Sequence, residues 1–562
     1  MKLKKNLLLI LVLMIGSRVS AQDPSNAPVD LSRQVDELFS RHVKKESPGC
    51  AVAVIRSGRI VYERGYGMAN LDFDIPNSPA TVFNVASMAK QFTAMSIALL
   101  AQQGKISLDD DIRKYIPEIP DYGTPITIRH LAYHTSGLRD YIDLIELADD
   151  RIENVHTDQD ILNILSRQKK LNFKPGEQLL YSNSGYVLLG LIVERVSGKS
   201  LREFENEFIF QPLGMKHSVL YDNRTMIVKN RATGYVPTTQ GGYKMRTSLW
   251  DRVGDGGLLT TVEDLFLWDQ NFYAPKVGNP AVINLLTTPG TLSNGKQIAY
   301  SFGLETTRYK GLTVVMHGGA LNGFRAQLYR FPEHRFTAIC LCNNGGISPT
   351  LMVEKIADTY LGDHFKSDKN VDQKTVRAAA ETIKLSEKEL ARFTSVFANP
   401  AGEFARRLYL KAGKLWYSVS EGDEYELAPL GGNRFIMLGV PEKIELVVSL
   451  GDTGTPSQVS MIIDDGKPIV YKAVTPAFDS PEYVGRYYSE ELDATYTLSL
   501  VGNKLMARKK VGDELILSPQ FADVFGNSDR SISIRFSRGQ NGLVTGFLLN
   551  TSRMKGLVFR KA

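Results

Sequence analysis

The chain has 562 residues, too many for one hydrophobic core, so two or more domains are expected. Hydrophobic residues make up 43% and charged residues 23%, ordinary proportions for a globular protein. Four of the 67 Lys and Arg, namely Lys2, Lys4, Lys5 and Arg18, fall in the first 21 residues; the 63 that remain face 61 Asp and Glu, which gives no electrostatic argument for nucleic acid or another anionic partner.

Residues 1–21 read as a secretory signal peptide. A basic start, "MKLKKN", precedes the apolar run "LLLILVLMIG", too short to span a bilayer comfortably, and "VSA" puts small residues before a cut between Ala21 and Gln22. An uncleaved N-terminal anchor is the other reading. No cysteine follows the cut and no later stretch reaches the length of a membrane span, so the expectation is an exported protein, periplasmic or secreted. Residues 31–45 have Leu31, Val35, Leu38 and Phe39 on one helical face, and 50–70 read as two strands turning at Ser57-Gly58. A helix follows Ser87, with Phe92, Met95, Leu99 and Leu100 at helical spacing, and stops at Gly104. The text from about 105 to 270 is mostly helical and loop-rich. Strands return at "GLTVVMHGG", "GFRAQLYRF" and "FTAICLCNN", and "SPTLMVEKIADTYLG" closes the region as a helix. The early and late strands must meet if they share one antiparallel sheet, with the middle block as a helical subdomain. The expected class is α/β (α+β), over residues 22–365.

Residues 366–384 are charge-rich and read as a linker. Two strand-rich repeats follow, 385–475 and 476–562. At an offset of 90, Phe393 matches Tyr483, Phe397 matches Tyr487, Leu408 matches Leu498, "GDE" at 422–424 matches 512–514, and Pro429 matches Pro519. Short alternating strands with Gly and Asn turns argue for antiparallel barrels, which remove exposed edges by closing. The cysteines are Cys50, Cys340 and Cys342. Cys340 and Cys342 share one face of a strand and read as small buried hydrophobes. The eight histidines show no metal-ligand spacing, so no metal or organic cofactor is implied. Nothing in the sequence fixes an oligomeric state.

Three stretches carry chemistry. In "NVASMAKQFT" (84–93), Ser87 and Lys90 stand one helical turn apart. A serine hydroxyl needs a base to become a nucleophile, and a buried lysine loses its proton more easily. Alone, the pattern is more often an ordinary helix start. In "YSNSGY" (181–186), Tyr181 and Asn183 flank one residue at a loop-to-helix junction. A nearby cation would favour the phenolate of Tyr181, a candidate base, and Asn183 offers a donor and an acceptor to an amide. In "VVMHGGALNGF" (314–324), a strand is expected to end in His317-Gly318-Gly319, where glycines let a substrate lie against the backbone.

Ser87-x-x-Lys90, Tyr181-x-Asn183 and His317-Gly318-Gly319, in this order, resemble the serine β-lactamase and penicillin-binding-protein superfamily. The middle motif is similar to the branch holding class C β-lactamases, D-alanyl-D-alanine carboxypeptidases, D-aminopeptidases and related esterases. "LAYHTSGL" (131–138), "FKPGEQLLYSNSGY" (173–186), "PLGM" (212–215) and "GDGGLLTTVEDLFLW" (254–268) fit that branch, and the trailing repeats resemble the barrels that follow the catalytic domain in some D-aminopeptidase-like members. The resemblance implies Ser87 as the acylated nucleophile, Lys90 and Tyr181 as proton carriers and Asn183 as the holder of a substrate amide. It also implies an oxyanion hole made by the backbone N–H groups of Ser87 and Ala320, beside His317, Gly318 and Gly319. Where penicillin-recognising members usually carry lysine, this chain has His317, mostly neutral at pH 7. That favours a D-amino-acid amide or ester over a β-lactam or a D-Ala-D-Ala terminus. Arg325 reads as a solvent-facing strand residue or a substitute carboxylate contact, His134 as a turn residue, and "GDGG" (254–257) as a tight turn near the cleft. The function expected is an exported serine hydrolase acting on a small-molecule or peptide substrate. The alternatives are a true β-lactamase or D-Ala-D-Ala carboxypeptidase, and a non-catalytic module that binds cell-wall peptides or proteins.

Overall fold

The computed structural model describes residues 31–148, 154–246, 251–365, 382–399, 404–420, 423–440, 442–464, 466–474, 481–512 and 514–562. The expected signal peptide and most of the expected linker lie outside these residues. Early and late strands do share one sheet. β1 (Cys50–Arg56) and β2 (Arg59–Tyr66) join β3 (Glu305–Tyr309), β4 (Leu312–Leu321), β5 (Phe324–Phe331) and β6 (Phe336–Cys342) in the antiparallel order β3-β4-β5-β6-β1-β2. The edge strand β3 was not expected. β4 runs on past the His-Gly-Gly triplet, where the sequence suggested an end, and turns only at Asn322 and Gly323, both left-handed (φ 43° and 83°). Ser57 and Gly58 turn the first hairpin in the same way (φ 50° and 78°), the twist that suits a two-residue connection.

β1 is buried on both faces because the sheet is covered on both sides. Ala51, Ala53 and Ile55 pack into the helical block. Cys50, Val52 and Val54 pack under α1 (Leu31–His42) and the late helix Pro349–Leu361. Cys50 lies opposite Cys342 in the register and is disulfide-bonded to it, while Cys340 stays a buried free thiol. The expectation that Cys342 is merely a small hydrophobe is thereby corrected; its partner is 292 residues away and becomes a neighbour only once β1 pairs with β6. α2 (Lys90–Gln102) is buried all round from Lys90 to Leu100, as a central helix must be. Left-handed Gly104 (φ 70°) closes it, and the Lys105 N–H bonds back to the Leu100 carbonyl.

The C-terminal half holds two closed eight-stranded antiparallel barrels. One runs from Ser395–Ala398 to Ile469–Ala473, the other from Gly485–Ser489 to Leu557–Lys561, and in each the first and last strands pair. Leu415 faces Leu427 as Leu505 faces Leu517, and Pro429 faces Phe435 as Pro519 faces Phe525. The constant offset ends there. Phe435 then faces Leu446 while Phe525 faces Ile534, so the second barrel is two residues shorter in the link after this strand, and its later strands match at an offset of 88.

Candidate active site

Ser87 sits in a strained entrance to α2. Asn84 Oδ1 accepts the Ala86 N–H at 2.8 Å and holds Ala86 left-handed (φ 47°), a conformation that costs a non-glycine residue about 1–2 kcal/mol. The chain then makes one tight turn over Ala86–Ala89 before α2 begins at Lys90. Lys90 Nζ is thereby turned toward Ser87 Oγ, 3.2 Å away, and also donates to Asn183 Oδ1 (2.8 Å) and the Asp255 carbonyl (2.7 Å). Its three donors meet three acceptors, yet the group is completely buried. Desolvation pulls its pKa down to about 7 against the opposing charges of Asp255 and Asp140, with Arg252 and Arg553 pulling the same way as burial. The amine is poised between its two forms at neutral pH.

The helix α4 (Asn183–Ser197), numbered after α3 (Tyr141–Leu147), carries the second motif at its entrance. Asp140 Oδ2 accepts both the Asn183 N–H (2.7 Å) and Nδ2 (3.0 Å), which orients the amide so that Oδ1 faces Lys90. Tyr181 is held by His134. The His134 carbonyl accepts the Leu180 N–H (2.9 Å), its Nδ1 accepts the Ser182 N–H (3.1 Å), and its ring lies 4.2 Å from that of Tyr181. His134 is a left-handed turn residue (φ 57°), as expected, and it also clamps Tyr181 from both flanking peptides and from its face. Burial works against the expected phenolate. It pushes the Tyr181 phenol well above its ordinary range, and this outweighs the lowering by a hydrogen bond from Ser87 and by the charge of Arg553. The environment favours a neutral phenol, which makes Lys90 the candidate proton acceptor.

The third motif flanks the Ser87 turn. A Cβ on Gly319 would lie 2.0 Å from the Val85 carbonyl oxygen, so only glycine lets β4 run this close to the Ser87 turn. His317 is buried and its pKa falls to about 4 through desolvation and the nearby Lys90 charge. Its Nδ1 lies 2.6 Å from the Gly318 carbonyl and so carries the proton, which leaves Nε2 to accept from the Tyr300 hydroxyl at 3.1 Å. His317 is neutral and supplies no fixed cation. Ser87, Tyr181, Asn183, His317, Gly318 and Ala320 line one cleft of about 670 Å³, with Lys90 buried beneath it. Arg325 also lines the cleft rather than facing solvent; it donates to the Phe324 carbonyl (2.8 Å). The "GDGG" turn, left-handed at Gly254 and Gly257, delivers the Asp255 carbonyl to Lys90. Sequence reasoning missed Asp140 and Tyr300, neither of which lies in a quoted motif, and read the "GDGG" turn as near the cleft without assigning the Asp255 carbonyl to Lys90. Cys50, Cys340 and Cys342 cluster elsewhere in the domain, two of them consumed by the disulfide.

Arg553 also lines this cleft. It stands on the link between the last two strands of the second barrel, Val544–Thr551 and Leu557–Lys561. Among the described residues, no helix is long and apolar enough to cross a membrane.

Comparison with known proteins gives a consistent picture. A family model, Beta-lactamase, matches residues 35–358. A D-aminopeptidase of Gluconobacter oxydans (strain 621H) is 28% identical over 81% of this chain and 82% of its own length. A D-aminopeptidase of Brucella anthropi is 25% identical over 93% of this chain and 98% of its own, barrels included. The octameric penicillin-binding protein homologue from Pyrococcus abyssi shares the fold, with a TM-score of 0.54 at 23% identity over 79% of this chain and 99% of that one.

Proposed function

The chain belongs to the Beta-lactamase family of serine hydrolases, and from that premise we propose that it is an exported hydrolase cleaving an amide or ester of a D-amino-acid substrate through a Ser87 acyl-enzyme. The observation that carries the reading is Lys90 Nζ, 3.2 Å from Ser87 Oγ, with its pKa brought to about 7 by burial. The neutral amine takes the hydroxyl proton as Ser87 Oγ bonds to the substrate carbonyl carbon. The carbonyl electron pair moves onto oxygen, which faces the N–H groups of Ser87 and Ala320. Collapse breaks the bond to the leaving amine or alcohol. That group takes a proton from the neutral Tyr181 phenol, which recovers one from Lys90. Water then repeats the sequence on the acyl-enzyme. Asn183 orients Lys90 and keeps its second amide N–H for a substrate carbonyl. Export rests on the basic and apolar residues 1–21; residues 22–365 would be the catalytic unit, and 385–475 and 476–562 the two barrels.

Neutral His317 favours this reading over β-lactamase or D-Ala-D-Ala carboxypeptidase activity, because the position offers no permanent positive charge to a substrate carboxylate. A fluorescent fluorophosphonate is expected to label the wild type and not Ser87→Ala, and the variant to lose turnover by about 1,000-fold or more. Labelling that persists in Ser87→Ala would overturn the acyl-enzyme. Fast nitrocefin hydrolysis would move the assignment to β-lactamase. No labelling and no turnover by the wild type across ester, D-amino-acid amide and peptide substrates would leave the binding module.

A further inference from the structure

The second barrel reaches into the cleft with one side chain, and its mounting is rigid. Between the two final strands, the Thr551 N–H bonds to the Met554 carbonyl (2.8 Å), and Met554 is fully buried. Asn172 grips the link from the catalytic side: its Nδ2 donates to the Arg553 carbonyl (2.9 Å) and its Oδ1 accepts the Lys555 N–H (2.8 Å). Arg139 Nη2 donates to the carbonyls of Lys555 (3.0 Å) and Gly556 (3.2 Å), and Thr551 Oγ1 donates to Asp143. The backbone is thus tied down on both sides of Arg553 while its guanidinium is left in the cleft, 5.2 Å from the centre of the Tyr181 ring. Its nearest acid is Asp140, whose carboxylate is fully buried and 3.8 Å away, beyond hydrogen-bond distance. Asp140 already accepts the N–H of Ile142 at one oxygen and two donors from Asn183 at the other.

The guanidinium therefore presents a planar set of N–H donors, backed by an aromatic ring, to the space a substrate must occupy. That is the arrangement that takes a carboxylate bidentately. The other charges of the cleft cancel it only in part. Asp255 is matched by Arg252, and Asp140 beneath the cleft pairs loosely with Arg553 at 3.8 Å, while on the lining itself Arg325 and Arg553 stand against the single remaining carboxyl of Glu305.

We propose that Arg553 is a specificity-determining residue, lent by the second barrel, that binds a carboxylate of the substrate and turns away a substrate bearing a free ammonium there. The inference rests on the acyl-hydrolase reading above and names its substrate class: D-amino-acid amides or esters carrying a negative charge. The carboxylate sits either on the acyl side or on the leaving group, the second being the D-Ala-D-Ala carboxypeptidase alternative with Arg553 supplying the cation that His317 lacks, and two substrate pairs separate these sources. Succinyl-D-alanine p-nitroanilide is set against acetyl-D-alanine p-nitroanilide, and acetyl-D-Ala-D-Ala against its C-terminal amide, with unblocked D-alanine p-nitroanilide as the cationic substrate. The charged member of one pair is expected to exceed its neutral partner by about tenfold or more in kcat/KM, and unblocked D-alanine p-nitroanilide to be poorest. Arg553→Gln should abolish that preference, bringing the kcat/KM ratio of the charged member to its neutral partner, both measured on the variant at one pH, down to about one. Arg553→Lys, which keeps the charge and loses the fork, should restore part of it. A loop that merely disturbed the cleft would lower both members together and would not distinguish Lys from Gln. Equal loss on charged and neutral substrates, or a wild type that prefers the free ammonium, overturns the inference while Ser87 labelling keeps the hydrolase reading intact. Absence of Ser87 labelling removes both.

Discussion

The two barrels share one ladder and differ in what they touch. Their matching pairs, Leu415 with Leu427 and Leu505 with Leu517, fix the same register, and their last strands are joined by links of equal length, "DDGKP" at 464–468 and "SRMKG" at 552–556. The first barrel has an apolar core of its own, and its Arg407 reaches the Pro519 carbonyl of the second. The core of the second, including Tyr496, Phe547 and Phe559, is continuous with that of the helical block. Its edge is bonded to the catalytic domain at Glu491, Tyr496, Thr551 and Lys555. Where the first barrel has Asp465, the second has Arg553. Duplication kept the hydrogen-bonded frame and let one short link change sign and enter the site, which is how loops on a fixed scaffold acquire a role.

Removing the second barrel's anchors should therefore cost far more than the same chemistry in the first. Arg139 and Glu491 form an ion pair with side chains 0% and 5% exposed, and Glu491→Gln leaves the guanidinium buried and uncompensated, a loss of about 3–5 kcal/mol. Glu445→Gln breaks a forked pair in which the Arg434 side chain is 54% exposed and Glu445 10%; solvent on the arginine side should hold the loss to about 1 kcal/mol in urea unfolding. Equal shifts for the two variants would break the contrast. Tyr496→Phe removes the hydroxyl that donates to the Leu147 carbonyl at 2.7 Å. It should lower stability by about 1–2 kcal/mol, read in the same unfolding experiment.

Much of this frame is legible in the chain because it is written in local periodicities. β1 reads as apolar without a break from Cys50 to Ile55, and such a strand is covered on both faces. The barrels are visible because Leu505, Pro519 and Phe525 repeat Leu415, Pro429 and Phe435. Ser87, Lys90, Tyr181 and His317 stand in stretches whose spacing implies a serine hydrolase. What is illegible depends on distant partners. Glu491 meets Arg139 across 352 positions, and nothing beside Arg553 marks it as part of a cleft. The expected Tyr181 phenolate is opposed for a related reason: proximity to a cation can be guessed from a motif, but the depth of burial that works against it comes from distant residues, with His134 and Tyr300 packed on the ring. The Cys50–Cys342 bond likewise appears only when the two ends of the domain share a sheet.

The smallest effect is the one that ties the second barrel to the chemistry. Acylation by the proposed route needs Lys90 neutral, so kcat/KM on an uncharged ester should rise with pH through about 7, the value to which burial lowers the lysine. Four charges bear on it: Asp255 and Asp140 favour the ammonium, Arg252 and Arg553 oppose it. Arg553→Gln removes one opposing charge, so the ammonium becomes easier to keep and the rising limb should move to higher pH. An indirect path runs the other way. The same guanidinium holds down the carboxyl of Asp140, which burial raises to about 6; without Arg553 that carboxyl rises further and offers less support to the ammonium. The direct repulsion acts on the ammonium itself and the indirect path only through a partial change at Asp140, so the direct repulsion is expected to decide the sign. Arg434→Gln, on the first barrel, should leave the limb where it is. The pH dependence of fluorophosphonate labelling, with a neutral probe, reads the inflection independently of substrate charge. An inflection that moves down in Arg553→Gln would mean that the barrel acts on the lysine chiefly through Asp140 and Asn183. One that does not move would confine Arg553 to substrate recognition.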